Sequence, residues 1–192
     1  MQKTVLITGA TSGIGKSSAV LFLSKDWIVY AGGRNSSALS DLENLGAIPL
    51  VMDVTKQEDI NNAFDIIEKN SHKIDVLINN AGYGQFGPIE EVSYEKALKQ
   101  FETNVFGLAK VCKRALPCMR KNKSGRIINV SSIAGRISIP GGGWYAASKH
   151  AVEALSDALR WELKQFGIKV SVIQPGPIKT AFSDNVNKNR IS

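Results

Sequence analysis

Short runs of β-branched and aliphatic residues alternate along the chain with longer segments whose apolar positions recur at helical spacing. The runs are Val5-Leu6-Ile7, Trp27-Ile28-Val29-Tyr30, Pro49-Leu50-Val51, Val76-Leu77-Ile78, Arg126-Ile127-Ile128-Asn129-Val130 and Lys169-Val170-Ser171-Val172-Ile173. Each reads as a strand, and each gap can hold a crossover helix, with Gln57 to Ser71 supplying the one between the third and fourth runs. Strands joined in this way form βαβ units. The pattern therefore predicts an α/β fold, a doubly wound parallel sheet of Rossmann type with helices on both faces. Ligands of such sheets bind beyond the carboxyl ends of the strands, so the residues that follow each run are the candidates for chemistry. Residues 1–182 read as one domain, and the polar, aperiodic stretch 183–192 as a frayed or disordered tail.

Composition narrows the picture. A chain of 192 residues, 43% hydrophobic and 21% charged, suits one globular domain with a sizeable core. Cys112 and Cys118 share one helical stretch without metal-ligand spacing, which predicts free thiols. Met1 runs almost directly into the first strand, and no stretch approaches the apolar length of a membrane span; the expected location is the cytoplasm, with no membrane span. The net charge of +7 raises nucleic acid as a partner, and Lys110, Lys113, Arg114, Arg120, Lys121, Lys123 and Arg126 form an acid-free basic run. No aromatic residue interrupts that run to stack on bases. It reads as a solvated helix face, with no nucleic-acid partner.

After the first strand comes Thr8-Gly9-Ala10-Thr11-Ser12-Gly13-Ile14-Gly15, opening a helix that continues through Ala19, Val20, Leu21 and Leu23. Glycines here permit a tight turn, close approach of backbone to a pyrophosphate and close helix packing, while the helix N-terminus offers free N–H groups and a positive dipole. A dinucleotide is the natural guest. The same segment holds a rival, because Gly15-Lys16-Ser17 is one residue away from the nucleoside-triphosphatase loop pattern. In that reading Lys16 would reach the β- and γ-phosphates and Ser17 would hold magnesium.

The second strand ends in Gly33-Arg34-Asn35, with no Asp or Glu before Asp41. An acidic residue roughly twenty positions past the loop favours NAD, whereas a nearby arginine accommodates the extra phosphate of NADP. Arg34 thus favours NADP(H), with NAD(H) possible. Asp53 after the third strand and Asn79-Asn80-Ala81-Gly82 after the fourth line the same expected edge.

Tyr145 and Lys149 stand one helical turn apart and therefore on one face. An unperturbed tyrosine, with a pKa of about 10, is a poor base near neutrality. An ammonium about 4 Å away, at an effective dielectric of about 20, is worth roughly 4 kcal/mol, enough to lower that pKa by about three units before screening. The pair predicts general acid–base work. His72 and His150 have no Ser/Asp arrangement of a hydrolase, and no His/Cys/carboxylate grouping suggests a metal.

Thr8-Gly9 to Gly15, Asn79-Asn80-Ala81-Gly82, Asn104, Ser132, Tyr145 to Lys149 and Pro175-Gly176, in this order, resemble the short-chain dehydrogenase/reductase family from the first strand to Phe182. Tyr83-Gly84, the segment from Phe101 to Gly107 and that from Lys149 to Leu155 are most similar to the subgroup of retinol and hydroxysteroid dehydrogenases and related bacterial oxidoreductases. The resemblance implies an NADP(H)-dependent enzyme that interconverts a small apolar alcohol and its carbonyl. Tyr145 would exchange a proton with the substrate oxygen, Lys149 would lower its pKa and hold the nicotinamide ribose, Ser132 would hydrogen-bond the oxygen, and Asn104 would position a water linking Lys149 to solvent. Ser131 would point to the opposite side of the strand.

The implied cofactor contacts are Gly9, Thr11, Ser12, Gly13, Ile14, Gly15, Arg34, Asp53, Val54, Asn80, Ala81, Gly82, Tyr145, Lys149, Pro175, Gly176, Ile178 and Thr180, with Ile178 and Thr180 near the carboxamide. Members of the family continue beyond the Pro-Gly segment with a substrate loop, a helix and a final strand, whereas this sequence stops at Ser192. That departure keeps a second expectation alive, a catalytically weak or inactive dinucleotide-binding regulatory module. The helices around Glu95 to Lys121 and Tyr145 to Phe166 are the surfaces expected to form a homodimer.

Overall fold

Every β-branched run becomes a strand, within a residue of its expected limits except the second, which continues past Tyr30 to Gly33. The computed structural model describes residues 2–70 and 73–178, so Thr180, His72 and the stretch 183–192 lie outside the described residues. In chain order the elements are β1 (Thr4–Thr8), α1 (Gly13–Leu23), β2 (Ile28–Gly33), α2 (Ser36–Glu43), β3 (Ile48–Val51), α3 (Gln57–Lys69), β4 (Val76–Asn79), α4 (Tyr94–Phe101), a π-helical stretch (Glu102–Gly107), α5 (Leu108–Lys121), β5 (Gly125–Val130), a 3₁₀ turn (Ile133–Gly135), α6 (Gly143–Leu163), a second 3₁₀ turn (Lys164–Phe166) and β6 (Ile168–Ile173).

All strands pair in parallel in the order β3-β2-β1-β4-β5-β6. The two-residue alternation of strand side chains divides the core between the faces. In β1, Val5 and Ile7 join a cluster with Ala19 of α1 and Leu39 and Leu42 of α2, while Leu6 points to the other face and joins Phe64 of α3, Val111 of α5 and Val152 of α6. All five residues of β1 are buried, so the strand has no polar alternation. Each large aliphatic side chain withdrawn in this way contributes about 1.5–3 kcal/mol, which makes burial on both faces the reason the sheet is central.

The strand order reverses between β1 and β4, and Asn80 stitches that point together. Its Nδ2 donates to the Gly9 and Thr8 carbonyls at 2.9 and 3.2 Å, while the Thr8 hydroxyl accepts from the Asn80 and Ala81 N–H groups at 3.1 and 3.2 Å. The loops after β1 and β4 are thus fastened to each other by side chain and backbone, at the position where doubly wound sheets bind ligands. Among the described residues no helix is long and apolar enough to cross a membrane.

Three of the seven residues of the basic run meet partners from neighbouring elements. Lys110 pairs with Glu102, Arg114 with Asp65 and Glu68, and the Arg120 guanidinium covers the Phe166 ring. Both cysteines are free; burial pushes the Cys112 thiol up to about 12, so it is protonated and inert at neutral pH.

Candidate active site

A cavity of about 720 Å³ runs along the carboxyl ends of the strands, within the usual range of small-molecule sites. One end is formed by Gly9, Thr11, Ser12, Gly13 and Ile14, with Arg34, Asp53 and Val54 beside them; Asn80, Ala81 and Gly82 form the middle; Ser132, Tyr145, Lys149, Pro175, Gly176 and Ile178 close the far end.

The first end is built for an anion. Gly9 has φ +65°, and a Cβ there would lie 2.8 Å from the Ala81 Cα, so both the turn and the contact exclude a side chain. Helix α1 begins at Ser12 without a side-chain cap and with no acid in its first turn. By contrast Asn35 caps α2 and Ser93 caps α4. The first N–H groups of α1 are therefore left to a ligand. Gly15 departs from the expected role: it does not line the cavity but packs, since a Cβ there would meet the Gly9 oxygen at 2.3 Å and Asn80 Nδ2 at 2.5 Å.

Lys16 turns away and pairs with Asp41 at 3.3 Å, and neither it nor Ser17 lines the cavity. A triphosphatase loop needs that lysine on the phosphates, so the geometry removes the rival reading.

Arg34 lies 3.6 Å from Asp53, whose other oxygen accepts from the Thr55 N–H and hydroxyl. Burial pushes the Asp53 pKa up, but the bonds from Thr55 and the Arg34 charge outweigh it and hold the carboxyl below its ordinary range. Arg34 also bears on a residue that the sequence did not single out for the cavity: burial raises the Tyr83 phenol and the Arg34 charge moderates it.

Asn104 sits within the π-helical stretch, a distortion that commonly accompanies function. Its side chain is fully occupied, accepting from the Tyr83 N–H at 3.0 Å and donating to the Tyr83 carbonyl at 2.9 Å and the Ser148 hydroxyl at 3.1 Å. Asn104 is buried behind Gly82, across which the Lys149 ammonium also lies, and it does not itself line the cavity. What its side chain does is fix the loop after β4 against α6.

Tyr145 is buried and shares a hydrogen bond with Ser132, whose oxygen also accepts from the Ala134 N–H at 3.2 Å. The expected net lowering of Tyr145 is not reached, because burial outweighs the Lys149 charge in this geometry. The Lys149 ammonium lies 5.8 Å from the Tyr145 ring centroid and donates to the Val130 carbonyl at 2.9 Å. Burial therefore dominates and raises Tyr145, with Ser132 opposing. Burial also lowers Lys149 to about 8, with the Glu153 carboxylate opposing. Ser131 is buried, its hydroxyl 3.5 Å from the Lys149 carbonyl, and it leaves Ser132 as the serine on Tyr145.

The far end also contains residues that sequence motifs did not reveal. Phe86 packs against Tyr145 with ring centroids 5.3 Å apart, and Ile133, Ile137 and Ile139 add an apolar wall. Among the described residues Lys149 is the one charged side chain lining this end, whereas Arg34 and Asp53 stand at the other. Such a gradient suits an elongated ligand that is anionic at one end and uncharged where it meets Tyr145. Glycine loop, open helix terminus and buried Tyr/Lys pair in one cavity fit a nicotinamide dinucleotide.

Residues 3–191 match the family described as short chain dehydrogenase. The chain is 44% identical over 189 residues to the 3-ketodihydrosphingosine reductase of Bacteroides thetaiotaomicron, covering 98% of this chain and 68% of that protein. Among solved structures, ElxO with NADP bound superposes with a TM-score of 0.89 at 33% identity, covering 98% of this chain and 79% of that one. A short chain dehydrogenase/reductase from Burkholderia phymatum in complex with NAD gives a TM-score of 0.91 at 30% identity, covering 97% and 69%.

Proposed function

The chain belongs to the short chain dehydrogenase family, and on that premise we propose that it is an NADP(H)-dependent oxidoreductase interconverting an apolar alcohol and its carbonyl, with Tyr145 as the general acid/base. The observation that carries this reading is the placement of the Tyr145–Ser132 hydrogen bond at one end of a cavity whose other end is the glycine loop. Gly9, Thr11, Ser12, Gly13 and Ile14 would hold the pyrophosphate, Asp53 and Val54 the adenosine, Arg34 the additional phosphate, and Pro175, Gly176 and Ile178 the nicotinamide side. When bound, the nicotinamide supplies or accepts the hydride.

The raised pKa of Tyr145 keeps its hydroxyl protonated at neutral pH, which suits proton donation to a carbonyl oxygen that is gaining charge. Ser132, already bonded to that hydroxyl, would donate to the same oxygen and hold it in line. As Tyr145 releases its proton, the Lys149 charge favours the phenolate left behind, and in the alcohol-to-carbonyl direction the same charge favours the base. Phe86, Ile133, Ile137, Ile139 and Ile178 give this end an apolar lining that suits an uncharged substrate. The 3-ketodihydrosphingosine reductase relative is named for the reduction of a keto compound, which agrees with carbonyl chemistry at this site.

The test is a titration with NADPH, NADH and ATP–Mg, followed by turnover of a panel of carbonyl compounds by the wild type and Tyr145→Phe. Tight NADPH binding with Tyr145-dependent turnover is expected. Binding without turnover by any panel member would favour a regulatory module, and binding of ATP alone would overturn the reading.

A further inference from the structure

Glu153 is a carboxylate buried where a neutral residue would be cheaper to hold. It lies on α6 one turn beyond Lys149 and is 4% exposed. Its Oε1 accepts from Gln174 Nε2 at 2.9 Å. Its Oε2 stands 3.0 Å from the Arg136 guanidinium, an ion pair whose N–H groups are not aligned as a hydrogen bond. Glutamine could receive the bond from Gln174 without the cost of desolvating a charge. The charge itself therefore calls for a reason.

Its partners supply one. Arg136 ends the 3₁₀ turn that Ser132 begins, and Gln174 precedes Pro175, Gly176 and Ile178 at the cavity wall. The two segments touch each other, through the Ile133 N–H on the Pro175 carbonyl at 3.1 Å and the Ser131 N–H on the Ile173 carbonyl at 2.8 Å. A Cβ on Gly135 would lie 3.0 Å from the Glu153 Cγ, so this turn rests directly on the acid. Behind it is Lys149, facing Tyr145 and Glu153 from its own helix, the Val130 carbonyl from β5, and the Asn104 amide from the π-helical stretch across Gly82; Arg136 reaches it through Glu153.

We propose that Glu153 is a positioning residue of this active site: its carboxylate holds the Ser132 turn through Arg136 and the Pro175–Ile178 segment through Gln174, and serves as the counter-charge of the buried Lys149 ammonium. This rests on the assignment of Tyr145 and Lys149 as the acid–base pair. The fold thus uses one acid to set the geometry of both walls and the charge between them. Removing the acid leaves Lys149 easier to deprotonate, whereas removing Arg136 leaves the acid unopposed and Lys149 harder to deprotonate.

The experiment measures kcat against pH for the wild type, Glu153→Gln and Arg136→Ala, with amide hydrogen exchange over 131–137 and 174–178. The alkaline limb is expected to move to lower pH by about half a unit or more in Glu153→Gln and to higher pH in Arg136→Ala, directions that general loosening would not separate. Segment 131–137, which loses the Arg136–Glu153 pair, is expected to exchange several-fold faster in each variant, and 174–178, which keeps its bond from Gln174, less so. Limbs coinciding with the wild type overturn the counter-charge, and unchanged exchange overturns the clamp; if Glu153→Gln does not fold, Arg136→Ala, altered at a surface-exposed head group, decides both. Absence of any Tyr145-dependent turnover in the wild type would instead overturn the oxidoreductase reading, and the exchange measurement would still decide the clamp.

Discussion

The Nζ of Lys149 donates to the carbonyl oxygen of Val130 across 2.9 Å, fastening α6 to the end of β5 with a buried charge. That charge destabilises the fold at neutral pH. Burial lowers Lys149 from 10.5 to about 8, so between those values the unfolded chain binds more protons and stability rises with pH; below about 8 the full cost is present. The difference, 10.5 minus about 8, corresponds to on the order of 3 kcal/mol. Lys149→Met should therefore be more stable than the wild type at pH 7 by about 1–3 kcal/mol in urea unfolding, with the advantage gone near pH 10.5. A less stable Met variant at pH 7 would mean that the bond to Val130 outweighs desolvation.

Removing the Tyr145 hydroxyl takes away the proton donor and leaves the ring against Phe86. Tyr145→Phe should lower kcat by about 10²–10⁴-fold while changing the NADPH Kd by less than about threefold. Steady-state kinetics and fluorescence titration measure the two; equal losses in both would assign Tyr145 to binding.

Arg34 is exposed and its contact with Asp53 is 3.6 Å, so little stability depends on it. Arg34→Ala should weaken NADPH by about 10- to 150-fold, the worth of charged hydrogen bonds to a phosphate, and NADH by less than about threefold. Parallel losses for the two cofactors in calorimetry would show that Arg34 does not read the phosphate.

Two glycines of one loop should fail differently. Gly9→Ala must hold φ +65° and displace Ala81, at a cost of about 1–3 kcal/mol, and it also deforms the anion-binding turn. Gly15→Ala forces a methyl against the Gly9 oxygen at 2.3 Å from a position that does not itself line the cavity. We expect NADPH affinity to fall more than stability for Gly9→Ala, and stability to fall more for Gly15→Ala. Identical profiles would refute the division of labour.

Leu98 on α4, Phe106 in the π-helical stretch and Trp161 on α6 are 40%, 47% and 75% exposed. A homodimer covering these helices is the expected state at micromolar concentration by sedimentation; a monodisperse monomer would exclude it.

The sequence by itself determined the sheet, the glycine loop and the shared helix face of Tyr145 and Lys149, because each rests on local periodicity or on short spacing that the backbone converts directly into geometry, whereas Ser132 came from the family resemblance. β-branched runs such as Val5-Leu6-Ile7 have no polar alternation to offer solvent, so a central parallel strand follows from composition alone. The tail and Thr180 stayed as expectations, outside the described residues.

Tertiary structure decided which partner each long or branched side chain takes, a competition of a few kcal/mol between groups distant in sequence. Lys16 chose Asp41 over the loop, Lys149 chose Val130 over the Tyr145 hydroxyl, and Asn104 spent its hydrogen bonds on Tyr83 and Ser148. The π-helical turn that carries Asn104 has no signature in its residues, since a change from i+4 to i+5 bonding leaves the apolar pattern nearly intact. Phe86, Ile137 and Glu153 meet the site from separate loops and helix faces. Such convergence depends on how the elements pack on the sheet, which no local pattern encodes.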